Sequence, residues 1–290
     1  MKVGVVDIGT NSVRLLVTGD QGEEGRWVEI TGLGRGLDNS GLIGEGPMAE
    51  TLVVLERYGR VMDEHQVDIR AAMATSATRD ASNREVFLER AERVLGVRPQ
   101  VITGEREGRL AHAGATSGLD ASYRHLVCDI GGGSTELVTP YTVVSVDIGS
   151  VRLTERALPD RPSQPAAVQH AIDLVNGLFA PLPAVEFDRL VGVAGTWTSL
   201  AAIDLDLAAY DPARVHLHAI ERGRLDGLVR RLAGMTVAET AAIPSLDPGR
   251  APVILAGAVI ALCVMERLGA ATCLASERDT LDGLAAELLA

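Results

Sequence analysis

The 290-residue chain contains one lysine, Lys2. That scarcity removes the Walker A lysine, a Schiff-base lysine and any lysine-built phosphate clamp, and leaves cationic work to arginine. Cysteine is almost as rare. Cys128, Cys263 and Cys273 lie far apart without a CxxC pair, which excludes a disulfide framework and a thiolate zinc site. The histidines at 65, 112, 125, 170, 216 and 218 show no HxxxH or HExxH spacing, so a zinc hydrolase is disfavoured; they read as surface or packing residues, with His216 and His218 alternating as in a strand. No GxSxG elbow surrounds Ser134, which argues against an acyl-enzyme. The longest apolar run, 251–265, ends at Glu266, short of the roughly 18 residues a spanning helix needs. The start Met1-Lys2-Val3-Gly4 lacks the layout of a signal peptide. A cytoplasmic protein with no membrane partner is the expectation. The net charge of −12 repels polyanions at long range and argues against a nucleic-acid partner, so a phosphate-rich ligand must be met locally.

What is present is the composition of a globular protein: 47% hydrophobic and 23% charged residues, with mean hydropathy +0.16. At roughly 100 to 200 residues per domain the length suits one large domain or two ordinary ones. The β-branched run Lys2 to Asp7, the turn Ile8-Gly9-Thr10-Asn11-Ser12 and the run Val13 to Thr18 read as a hairpin. A nearly identical unit returns a domain's length later as Leu126-Val127-Cys128-Asp129-Ile130-Gly131-Gly132-Gly133-Ser134-Thr135-Glu136-Leu137-Val138. The separation is too long for a solenoid repeat and points to two related lobes.

Strand and helix signals alternate in both halves. Helices are predicted over 48–64, 83–95, 165–179 and from Trp197, and strands over 69–74, 98–102, 142–147 and 190–193. The fold class is therefore α/β. The boundary is expected near 118–123, giving lobes 1–120 and 121–290.

A carboxylate at a strand end beside a glycine-rich turn puts an anionic metal ligand next to unobstructed backbone N–H groups. Asp7 and Asp129 both have that setting. Gly131, Gly132 and Gly133 let phosphate approach closely, Ser134 and Thr135 add hydroxyl donors, and Glu136 is placed to hold Mg²⁺ directly or through water. One such turn alone is better read as an ordinary hairpin; two at domain spacing reverse those odds. A third Asp-Ile-Gly, at Asp147-Ile148-Gly149, stands too close to Asp129 to mark another lobe and reads as a strand end leading into a helix.

The paired turns resemble the phosphate loops of the actin-like ATPase superfamily. Together with Ala74-Thr75-Ser76-Ala77-Thr78-Arg79-Asp80-Ala81 and Ile102-Thr103-Gly104-Glu105-Arg106-Glu107-Gly108-Arg109-Leu110, they resemble the exopolyphosphatase and guanosine pentaphosphate phosphohydrolase family, in the same order and spacing. The likeness runs on through Gly149 to Glu155, Gly192 to Thr196 and Arg250 to Ala258. It implies two actin-like (ribonuclease H-like) lobes with an interdomain cleft, the last helix, about 280–290, packing back on the first. It also implies hydrolysis of terminal phosphoanhydride bonds of inorganic polyphosphate or guanosine pentaphosphate. Residue-by-residue matching makes Glu107 the general base and puts Gly9, Thr10, Asn11, Ser12, Arg79 and Gly131 to Thr135 on phosphates. Asp7, Asp129 and Glu136 fall to a Mg²⁺ or Mn²⁺ ion, and a homodimer is common among relatives. The chemistry agrees, because phosphoryl transfer needs positioning and charge neutralisation more than covalent help. Arg14 and Arg109 are weaker candidates.

The chain departs from the family at two places. Arg106 stands where members often carry an acidic residue. Near the C-terminus Ser276-Glu277-Arg278-Asp279-Thr280-Leu281-Asp282-Gly283 lacks a glycine and a later arginine, which puts local loop geometry in question. Competing classes are a superfamily kinase or switching ATPase and a non-catalytic polyphosphate or alarmone sensor. Against the former stands Trp197, bulky enough to take the space of a nucleotide base beside Gly192 and Gly195; against the latter stands Glu107.

Overall fold

Alternation of small and branched apolar residues makes Lys2–Ile8 (β1) a strand buried on both faces. It opens an antiparallel meander with Ser12–Gly19 (β2) and Gly22–Ile30 (β3). Helices Leu37–Ser40 (α1) and Glu45–Glu64 (α2) lead to Ile69–Ala74 (β4), which pairs parallel with β1. Ser76–Asp80 (α3) and Arg84–Leu95 (α4) precede the two-residue strand Gln100–Val101 (β5), and Gly104–Thr116 (α5) follows. The sheet order is β3-β2-β1-β4-β5. The strand β3 has no counterpart in the sequence reading, because GEEGRWVEI is charged and only part-buried and pairs only with β2.

A second sheet repeats the plan. His125–Ile130 (β6), Thr135–Val138 (β7) and Val143–Val146 (β8) form the meander. Ser150–Ala157 (α6) and Pro165–Phe179 (α7) lead to Arg189–Val193 (β9), parallel to β6. Then come Ala194–Asp204 (α8), Pro212–Val215 (α9), Ala219–Glu221 (β10), Arg222–Ala233 (α10), Val237–Ala241 (α11), Ile254–Arg267 (α12) and Thr272–Ala275 (β11). The order β8-β7-β6-β9-β11, extended by β10, matches the first sheet strand for strand. This duplicated topology makes the protein the two-lobed α/β type that the sequence implied.

The computed structural model describes residues 1–290. The chain forms two units, Met1–Gly114 with Asp279–Ala290, and Ala115–Arg278. The final helix, Thr280–Leu289 (α13), thus belongs to the first unit, where Leu281 and Ala285 pack with Val3, Val5, Leu16, Met73 and Leu110. The opposite face of that sheet is filled by residues of α2 and α4, including Leu55, Tyr58, Phe87 and Leu88. Helices α5 and α13 meet through two glycines: a Cβ on Gly114 would lie 1.9 Å from the Asp279 carbonyl oxygen, and one on Gly283 would lie 2.1 Å from that of Leu110. The glycine missing at Asp279 is not needed, since φ there is −151° and the backbone is not left-handed.

In the second unit the apolar run at 251–265 becomes the core of α12, buried from Ile254 to Met265; no helix is long and apolar enough to cross a membrane. Trp197 is fully buried, and a Cβ on Gly192 would lie 2.4 Å from its indole. It therefore fills core, not ligand space, and the objection it raised against a nucleotide falls. His216 and His218 are not in a strand: they lie between α9 and β10 around Leu217, whose φ is +62°. His216 Nδ1 accepts the Glu277 N–H, and His218 binds Asp204.

Candidate active site

The two turns singled out by repetition are closed in the same way. Gly9 N–H donates to Ser12 O at 2.9 Å, and Gly131 N–H donates to Ser134 O at 3.0 Å. Each turn follows an aspartate that ends the central strand of its sheet. In the first unit Asp7 pairs in register with Arg14 across β1 and β2; in the second, Asp129 pairs with Glu136 across β6 and β7. Equivalent places thus carry an ion pair in one unit and two carboxylates in the other.

Asp7 is buried, and its Oδ2 accepts from Arg14 Nε at 3.1 Å and from a second nitrogen of the same guanidinium. Its Oδ1 is buried without a hydrogen-bond partner. Burial pushes the Asp7 carboxyl above its ordinary range, with Arg14 opposing. Asp7 is therefore half committed to Arg14, and one oxygen remains to meet a cation or a proton donor. Arg14 also binds Asp279, which precedes α13 as its N-cap.

Thr10 and Asn11 are tied to a neighbouring turn that the sequence reading passed over. Asn11 O accepts from Thr31 N and Gly32 N, Thr10 O accepts from Gly34 N at 2.8 Å, and Thr10 Oγ1 accepts from Ala77 N at 3.2 Å. Gly32-Leu33-Gly34-Arg35-Gly36 thereby braces the first turn. Its signal was present, two glycines at φ +61° and +72°, but no chemistry-bearing residue type drew attention to it.

Glu107 sits in the first turn of α5, where the helix dipole favours its ionised form. Arg79, at the end of α3, lies 3.6 Å from Glu107 Oε2 and donates to Ile102 O at 3.0 Å. Its distance to Asp80 is 4.0 Å. The two residues matched independently to the family are brought into one ion pair. The weaker candidate Arg109 is half exposed and pairs with Glu105 along the same helix. Arg106 forks onto Glu287 of α13, so the departure at that position has its own counter-charge.

In the second unit Asp129 and Glu136 are both buried, and Glu136 Oε1 accepts from Ser145 Oγ at 2.7 Å. Thr135 is fully buried; its hydroxyl, expected on phosphate, donates instead to Ile148 O at 2.6 Å. The third Asp-Ile-Gly has a use after all. Ser150 N donates to Gly131 O and Val151 N to Gly132 O, both at 2.9 Å, and a Cβ on Gly149 would lie 2.4 Å from the Gly132 carbonyl carbon. The start of α6 thus holds the carbonyl side of Gly131-Gly132-Gly133. Arg250 was also missed: its guanidinium lies over Gly195 in the first turn of α8, where a Cβ would be 1.3 Å away. Nothing in the local sequence around either residue announces that contact.

The donors of each unit fit a hard divalent cation: Asp129 and Glu136 in the second, and Asp7 in the first, offer oxygen only. No three His, Cys, Asp or Glu side chains gather as a metal cage. Mg²⁺ characteristically keeps several waters and takes one or two carboxylates, so the facing pair Asp129 and Glu136 suits it. The cavity of about 260 Å³ in the first unit, lined by Arg70, Met73, Arg98, Ile102, Arg106 and Leu284 among others, contains none of these residues.

Two lobes of one topology, each carrying an aspartate at the end of its central strand beside a glycine turn closed by the same bond, define a duplicated two-lobed α/β protein. The chain belongs to the Ppx/GppA phosphatase family, whose model matches residues 25–289. It is 37% identical to exopolyphosphatase 2 of Mycobacterium tuberculosis, over 99% of this chain and 98% of that protein. Among solved structures, an exopolyphosphatase-like protein superposes with a TM-score of 0.93 at 33% identity, covering 99% of this chain and 98% of the other. The Aquifex aeolicus Ppx/GppA family member superposes at 0.82 and 33% identity, covering 100% and 98%.

Proposed function

We propose that the protein is an exopolyphosphatase, releasing orthophosphate from the end of inorganic polyphosphate. The observation that carries the reading is the Arg79 and Glu107 ion pair at 3.6 Å in the first turn of α5. It couples a carboxylate able to take a proton from water with a guanidinium able to bind phosphate oxygens. The full-length likeness to a relative named exopolyphosphatase supports the substrate class.

Glu107 accepts the proton of the attacking water. Arg79 orients that carboxylate and neutralises charge on the terminal phosphate. The turns Gly9 to Ser12 and Gly131 to Ser134 present N–H groups and the hydroxyls of Ser12 and Ser134 to the chain, while Thr135 holds the second turn from behind. Asp129 and Glu136, with Asp7, are assigned to Mg²⁺, which when bound neutralises phosphate charge and polarises the bond to be broken. The same reading includes a preference for short chains, a cytoplasmic location and a homodimer.

Orthophosphate release by wild type and Glu107→Gln is measured with Mg²⁺ on short polyphosphate, long polyphosphate, guanosine pentaphosphate and ATP. Release from polyphosphate that falls about 10²–10⁴-fold in the variant is expected for a lost general base. Release from guanosine pentaphosphate alone moves the assignment to the alarmone. Silence on all four substrates refutes the hydrolase.

A further inference from the structure

Asp7, Arg14 and Asp279 form a buried set of two carboxylates on one guanidinium, with side chains only 5%, 13% and 8% exposed. Asp279 uses its two oxygens for different work: Oδ1 accepts the Leu281 N–H of α13 at 3.0 Å, and Oδ2 takes Arg14. The next charged groups of α13 and β3 pair among themselves. Arg26 binds Asp282 at 2.8 Å and Glu23 at 3.1 Å, and Asp282 in turn accepts the Asp279 N–H.

Two carboxylates sharing one cation leave a net negative charge. Asp279 has both oxygens engaged and Asp7 Oδ2 is engaged, so the oxygen without a partner is Asp7 Oδ1, which is buried at the end of β1. In the equivalent place of the second unit Glu136 supplies a negative charge directly. In the first unit that place is Arg14, which by itself would cancel Asp7.

We propose that Asp279 is a positioning residue: by sharing the Arg14 guanidinium it leaves the buried set with a net negative charge and holds Asp7 Oδ1 fixed at the end of β1, able to serve a cation. The departure at 276–283 is then functional, because the acidic residue that caps the last helix also sets the charge at the first glycine turn. The inference rests on the metal assignment under the proposed function and not on the identity of the phosphate substrate.

The test is Mn²⁺ binding followed by electron paramagnetic resonance on wild type, Asp279→Asn and the double variant Arg14→Gln with Asp279→Asn, beside kcat and KM on polyphosphate. Asparagine keeps the cap acceptor and removes the charge, while glutamine at 14 keeps an N–H for Asp7 Oδ2. The half-saturating Mn²⁺ concentration is expected to rise about tenfold in Asp279→Asn, since a charge a few ångströms away in a partly buried site is removed. It should return to within about threefold of wild type in the double variant, where the net charge of −1 is restored.

A residue that only capped α13 would give no such rescue, so a double variant as weak as Asp279→Asn, or an Asp279→Asn protein that binds like wild type, overturns the proposal. A wild type that binds no Mn²⁺ overturns it together with the metal assignment. A wild type that binds Mn²⁺, shows the loss and the rescue, and yet releases no phosphate supports it while the substrate reading fails.

Discussion

Arg14 and Glu136 occupy the same place in two copies of one hairpin, each paired in register with the aspartate that precedes a glycine turn. One pairing is neutral within itself and the other sets two buried carboxylates side by side. Like charges directly across a ladder are destabilising. Glu136→Gln and Asp129→Asn are therefore expected to raise the melting temperature of the metal-free protein and to remove the rise that Mg²⁺ gives the wild type. Thermal unfolding with and without Mg²⁺ checks both signs. Variants that melt lower than wild type without metal, or still gain stability from Mg²⁺, would remove the metal from this pair.

A pH effect is expected from His125. It is buried at the start of β6, across from Arg189, and its Nε2 has no hydrogen-bond partner. Burial lowers its pKa, Arg189 adds to this, and Asp120 and Asp188 oppose it. The unfolded chain therefore takes up the proton first. The contribution of His125 to stability is present above about pH 6.5 and is lost as pH falls from there through the lower folded value, at no more than ~1.4 kcal/mol per pH unit. Urea unfolding of wild type and His125→Gln between pH 8 and pH 5 should show a shallower decline in the variant; parallel curves would refute the assignment.

Both hairpins and most strands were legible because their apolar runs are bounded by glycine turns, and α7 was read end to end because Pro165 opens it and its apolar spacing is helical. The edge strand β3 was not, since a charged strand without fully buried positions shows no apolar alternation to read. For the site, the residue types and turns were visible, but their partners were not. Arg14 and Asp279 are separated by nearly the whole chain, and Arg106 and Glu287 by 181 residues; only the return of α13 to the first sheet brings them together. Thr135 shows the opposite failure: its place beside the second glycine turn was legible, but its hydroxyl faces a carbonyl that sequence does not reveal.

The contact of α5 with α13 sets a strict limit at Gly283. An added Cβ would meet the Leu110 carbonyl at 2.1 Å, and both sides of the clash are backbone, so no rotamer can relieve it. Gly283→Ala is expected to cost about 3 kcal/mol. Gly177→Ala is the control: it lies inside α7 with nothing within 4 Å of the added atom, and should gain up to about 1 kcal/mol from helix propensity. Denaturant unfolding that fails to separate the two variants in sign would refute the backbone contact.

Arg79 and Glu107 make the remaining prediction, because one nitrogen of the guanidinium is shared between the carboxylate at 3.6 Å and the Ile102 carbonyl at 3.0 Å. Anchored to the backbone, the arginine can hold Glu107 in the free enzyme and swing little when phosphate arrives. Removing it takes away a charge-assisted contact worth roughly 1.5–3 kcal/mol, so Arg79→Ala should lower kcat/KM on polyphosphate by about 10- to 150-fold. Arg79→Lys restores charge without the planar fork, and recovers KM more than kcat if orientation of the base is what the fork supplies. In the cycle with Glu107→Gln the losses should fall well short of additive, since the two groups act on the same water and phosphate. Full additivity would mean that the pair is a structural ion pair and that the base acts alone.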